Sequence, residues 1–149
     1  MEFIPYKAHE CFEHLYYQIP MELFFNKNYR DKLNSDSKIL YGFLLNRLTL
    51  SAKNNWIDED GNIFLIFTRK EVQKMLNLSD KTATKAFKQL NECKLIHEKK
   101  QCANKPNLIY VEKLEHDEEL TKMIRKNYDS RIVKSTTQDT ENLRPKHNY

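Results

Sequence analysis

Apolar residues recur at three-to-four spacing along one stretch of the chain: Ile39, Leu40, Phe43, Leu44, Leu48 and Leu50, with Arg47 set among them. That stripe predicts a core helix running to about Ala52, capped at its start by Ser35 or Asp36. Upstream, Pro20 suits a first helical position ahead of the short run MELFF, and residues 26–34 read as a polar turn. Downstream, Trp56 and Ile57 precede Asp60-Gly61, which has hairpin turn chemistry, and the apolar residues 63–67 predict a buried strand. Thr68 and Glu71 form a capping-box pattern, so a helix begins at Arg69 with Val72, Met75 and Leu76 inward. Leu78-Ser79 breaks it, and Ser79 caps a second helix over residues 80–94. Residues 95–100 and 108–113 are strand-like and are joined by a turn containing Asn104, Pro106 and Asn107. The order is helix, short turn, helix, hairpin, which gives the fold class: α+β, mainly α, a winged helix-turn-helix with a small β-hairpin wing.

Wound as a helix, residues 80–94 place Ala83, Ala86, Phe87 and Leu90 on one side and Lys81, Lys85 and Lys88 opposite, with Thr82, Thr84 and Gln89 flanking. A lysine-rich helix face is often merely solvated. In this element order it is the face that enters a DNA major groove roughly 12 Å wide. The helix carries no arginine, the commonest bidentate reader of guanine, so the lysines predict phosphate contacts and a salt-sensitive affinity. Specificity then falls to Thr82, Thr84, Gln89 and DNA shape. Lys99, Lys100 and Lys105 of the wing reach the backbone or minor groove, and Arg69 with Lys70 at a helix start suits a phosphate.

Charge agrees with this. Residues 68–113 hold eleven Lys/Arg against five Asp/Glu, a local +6, which leaves −2 for the rest of a chain of net charge +4. At 149 residues the chain fits one domain with a tail. Two glycines exclude a glycine-rich phosphate loop, and no nucleophile elbow or acid/base pair is present, so no enzyme activity and no cofactor are expected. Asp58, Asp60 and Asn62 start like a calcium loop, but Ile63 and Arg69 stand where glycine and a bidentate acid are required. Cys93, His97 and Cys102 lack zinc spacing, and the odd count of three cysteines fits a reducing compartment. No apolar run approaches the roughly 20 residues of a membrane span, so a cytoplasmic protein is expected.

The run from Tyr16 to Lys100 resembles the N-terminal domain of RepA_N-type plasmid replication initiators, a winged helix similar to that of the primosomal protein DnaD. The segments SDSKILYGFLLNRLTLS, NIFLIFTRKEV and LSDKTATKAFKQLNECKLI carry the likeness, which spans about residues 15 to 113. It implies a homodimer bound to repeated sites, or iterons, at a plasmid origin, with host replication proteins recruited by a C-terminal domain that has no counterpart in this chain. Four segments follow from these readings. Residues 1–19 are an aromatic arm, whose Phe3, Ile4, Tyr6, Phe12, Leu15, Tyr16 and Tyr17 should pack in cis or on a partner subunit and are assigned to dimerisation. Residues 20–114 form the DNA-binding domain, 115–133 a short helical extension, and 134–149 a disordered linker to the missing domain. A transcriptional repressor and a protein-interaction module of the same fold are the rival functions.

Overall fold

The computed structural model describes residues 2–10, 14–115 and 117–127. Two short helices, α1 (Glu22–Phe25) and α2 (Lys27–Arg30), lead into the long α3 (Ser35–Lys53). Next come α4 (Arg69–Leu76), α5 (Asp80–Glu92) and a hairpin of β1 (Ile96–Lys99) with β2 (Leu108–Val111). Residues 118–127 are also helical, within the expected extension; residues 116 and 128–133 of that extension and the whole of the expected linker lie outside the described residues.

The central helix differs from its prediction in cap and core face. Asn34, not Ser35 or Asp36, is the N-cap, its side chain accepting from the Ser37 N–H. Tyr41 lies in the core with Leu40 and Leu44, whereas Ile39 and Leu50 are 39% and 49% exposed. The segment expected as a polar turn holds α2, nucleated by the Asn26 side chain accepting from Asn28 N–H, and Tyr29 on it is buried. Helix α1 starts two residues beyond Pro20, with the Leu23 N–H bonded to the Pro20 carbonyl.

Tyr41 donates to the Glu112 carbonyl at 3.0 Å, tying α3 to the chain leaving β2. Burial pushes its phenol from 10.0 up to about 12. A pKa raised in the folded state gives stability that is whole below pH 10 and lost as pH climbs through about 12. Tyr41→Phe is therefore expected to show a flatter loss of stability over that alkaline window, followed by circular dichroism during urea titration.

Strands β1 and β2 pair antiparallel, with Ile96 opposite Val111 and Glu98 opposite Ile109. The strand expected over residues 63–67 shrinks to one residue: Leu65 exchanges both backbone hydrogen bonds with Ile109, at 2.9 and 2.8 Å. Its neighbours are used elsewhere. Ile63 bridges Ile57 in the hairpin turned by Gly61, whose φ is +83°, and Thr68 already caps α4. Three tight junctions use asparagine in the left-handed region: Asn55 after α3, Asn77 between α4 and α5, and Asn104 in the wing turn. The core joins Leu40, Tyr41 and Leu44 of α3 to Val72 of α4, Ala83, Ala86, Phe87 and Leu90 of α5, and Leu65, Ile96 and Ile109 beneath the hairpin.

The arm is divided. Tyr17 stacks on Phe43 with ring centroids 3.9 Å apart, and Ile19 packs on the core. Gly42 permits that approach, because a Cβ there would stand 2.9 Å from Ile19 Cγ1 and 3.1 Å from the Gln18 carbonyl oxygen. Gly42→Leu is expected to lift residues 17–19 off α3 while helix content holds. Limited proteolysis should then cut near Gln18 much faster than in the wild type, and an unchanged rate would refute the close fit. Further out, Phe3, Ile4 and Leu15 are almost wholly exposed, Tyr16 is exposed, and Tyr6 bonds His14 at 3.0 Å. Phe12 lies outside the described residues.

Candidate nucleic-acid interface

Helix α5 is fixed at its start and along one side. Ser79 caps it by accepting from the Thr82 N–H at 3.2 Å, and Asp80 in the first turn complements the helix dipole. Ala83, Ala86, Phe87 and Leu90 are fully buried, as the sequence pattern requires, and the two alanines let the helix backbone approach α3 and α4 closely. The opposite side is the lysine face: Lys81, Lys85 and Lys88, with Thr84, are exposed. Lys88 approaches Glu92 at a long 3.9 Å, and both of these side chains are well exposed. Such a pair contributes little, so Lys88 can be drawn to a phosphate at small cost. Lys70 at the start of α4 and Lys99, Lys100 and Lys105 on the hairpin are exposed too.

Three other residues assigned to DNA have side chains occupied within the fold. Gln89 is turned inward: its Oε1 accepts from the Asn34 N–H at 3.0 Å and the Ser37 hydroxyl at 2.8 Å. It secures the start of α3 against α5 and is not presented to a base. The Thr82 hydroxyl folds back into the cap, donating to the Ser79 carbonyl at 3.1 Å. Arg69 is held by a fork to Glu98, Nη1 to Oε1 at 2.8 Å and Nη2 to Oε2 at 3.1 Å, and its guanidinium lies 3.5 Å from the Phe87 ring centroid. It is a strut between α4, α5 and β1, which leaves Lys70 as the exposed cation at that helix start.

Removing Gln89 tests its inward placement. Gln89→Ala strands the Asn34 N–H, which costs about 1–3 kcal/mol when no water replaces the acceptor, while the Ser37 hydroxyl keeps the Asn34 carbonyl at 3.0 Å. A lower urea midpoint with unchanged DNA affinity of the folded protein is the expected result. Weaker DNA binding at unchanged stability would return Gln89 to the base-reading set.

Glu98 escapes a reading by charge, where it counts only as a subtraction from the local positive sum. Its position carries a signal: alternation along β1 buries Ile96 and half-buries Glu98 while His97 and Lys99 point out, so an inward acid there needs a partner. Burial alone would raise its pKa; hydrogen bonds from Arg69 and Asn91 reverse this and hold the carboxyl below its usual 4.5.

This arrangement, a helix-turn-helix with an antiparallel wing, agrees with relatives found by sequence. The family described as "Replication initiator protein A (RepA) N-terminus" matches residues 15–126. The chain belongs to this family. A 41 kDa protein of Lactobacillus helveticus is 29% identical over an alignment of 118 positions that covers 75% of this chain and 33% of that protein. The chain thus spans about a third of that curated relative. Among solved structures, one described as "N-Terminal domain of DNA binding protein" is 34% identical with a TM-score of 0.70, covering 87% of this chain and 98% of that one. A second, "Structure of MDR initiator", is 36% identical with a TM-score of 0.66 over 84% and 98% of the two chains. A third, "Structure of Rep-DNA complex", is 34% identical with a TM-score of 0.70 over 85% and 97%. Among the described residues, no helix is long and apolar enough to cross a membrane.

Proposed function

We propose that this chain is the origin-binding domain of a plasmid replication initiator, a binding module and not a catalyst. It binds duplex DNA with α5 in the major groove, the wing lysines on the flanking backbone, and Thr84 and DNA shape left to discriminate among sequences. The observation that carries the reading is the division of α5, with one face locked in the core and Lys81, Lys85 and Lys88 exposed on the other. Likeness to a protein solved as a Rep-DNA complex supports it. The sites read are repeated iterons, occupied by homodimers joined through the outer arm. Phe3, Ile4 and Leu15 stand 86%, 79% and 102% exposed, apolar area that water disfavours and a partner would cover. Host replication proteins are engaged by parts of the initiator beyond this domain, in the cytoplasm.

Nuclease footprinting on the encoding plasmid tests the reading. Protection is expected over evenly spaced repeats at the origin, and protection confined to a promoter would instead favour a repressor of the same fold. Deleting residues 1–14 should convert a sedimenting dimer to monomer; a dimer that persists removes the arm from the interface.

A further inference from the structure

Four elements meet at the base of the wing. Arg69 opens α4, Phe87 and Asn91 lie on α5, and Glu98 lies on β1 opposite Ile109, the residue of β2 that bridges Leu65. Arg69 grips both oxygens of Glu98 and rests on Phe87, while Asn91 Nδ2 donates to Glu98 Oε2 at 2.9 Å and to the Phe87 carbonyl at 3.0 Å. Both carboxylate oxygens are thus used, and the Glu98 side chain is only 13% exposed. The cleft beside it is lined by Thr68, Arg69 and Glu98 on one side and by Lys105, Pro106 and Asn107 of the wing turn on the other. Lys99 and Lys100 follow Glu98 directly along the chain.

We propose that Glu98 is a positioning residue for DNA binding: through Arg69 and Asn91 it sets the wing against α5, so that Lys99 and Lys105 reach the phosphate backbone while α5 is in the groove. The inference rests on the DNA-binding reading and adds a sign that simple electrostatics reverses. Removing a negative charge beside a phosphate-binding surface should by itself strengthen binding. If Arg69 were a phosphate ligand held back by Glu98, freeing it would also strengthen binding and steepen the salt dependence. Positioning requires the opposite, since a wing out of place no longer meets its phosphates, and the salt slope flattens by about 0.9 for each phosphate given up.

The test uses the whole chain and a fluorescein-labelled mixed-sequence duplex, titrated at several salt concentrations by anisotropy. Glu98→Ala is expected to weaken binding about fivefold to tenfold and flatten the salt slope, an effect of the size that removing a few phosphate contacts gives. Arg69→Lys keeps the charge but cannot make the fork, perturbs folding less, and should weaken binding in the same direction. Lys105→Ala should weaken binding in the wild type and add nothing in the Glu98→Ala background, the coupling expected of residues that act as one unit. Tighter binding by Glu98→Ala, or additive effects in the double variant, overturns the positioning role and leaves DNA binding standing. A Lys105→Ala effect of zero in the wild type takes the wing off the DNA and overturns the proposal as well. Failure of the wild type to bind any duplex at low salt would instead defeat the DNA-binding reading itself.

Discussion

Exchanging Lys81, Lys85 and Lys88 together for alanine is expected to lower duplex affinity at least about tenfold at moderate salt and to flatten the salt slope by about 2.7, at roughly 0.9 for each phosphate no longer neutralised. Tenfold is about 1.4 kcal/mol, less than half a kcal/mol for each lysine, so it is a floor. Folding should be untouched. All three side chains are exposed, the ion pair from Lys88 to Glu92 is long and solvated, and alanine favours a helix slightly more than lysine does. Anisotropy titrations beside a thermal melt check both halves. Retained affinity with a retained melting temperature would show that the lysine face is merely solvated and that duplex DNA is met by another surface of the domain.

Phe87→Ala has the opposite profile. The ring is fully buried at the junction of α3, α4 and α5, and it also supports the Arg69 guanidinium. Truncation leaves a cavity that costs about 3–5 kcal/mol, and removing the ring from beneath the guanidinium adds roughly 1 kcal/mol. Against a typical stability of about 5–15 kcal/mol, the variant should unfold at far lower urea and populate unfolded chains near body temperature. A urea midpoint near that of the wild type would show that the core closes over the gap and that Phe87 is not its keystone.

Local chemistry made some of this legible in the residues alone. The capping box of Thr68 and Glu71 is present with both reciprocal bonds, and the buried face of α5 is the predicted one, because both depend on spacing within a single helix. What the pattern misplaced depends on partners distant in the chain. Gln89 looks like a flanking polar residue until the start of α3, 55 residues away in sequence, uses its oxygen. Arg69 looks like a phosphate ligand until β1 brings Glu98 beside it. The run at 63–67 has the composition of a strand, but only Leu65 meets the edge of β2, while Ile63 pairs back to Ile57. Helix α2 is four residues long, too short to show periodicity, and its signature is a single asparagine cap. The arm defied a single assignment because it is divided at about Tyr17, where stacking on Phe43 ends and exposed apolar residues begin.

The asparagines at the three tight junctions have a mechanical consequence. A chain with only two glycines holds the exit of α3, the elbow between α4 and α5 and the tip of the wing in left-handed turns without the backbone freedom glycine brings. The unfolded chain has fewer conformations to give up, and the elbow that carries the lysine helix bends less readily than one built on glycine. Stiffness at this elbow is therefore written in one exposed residue, Asn77, which stands outside the core. Its exchange for glycine would loosen the angle between α4 and α5 while leaving every lysine in place.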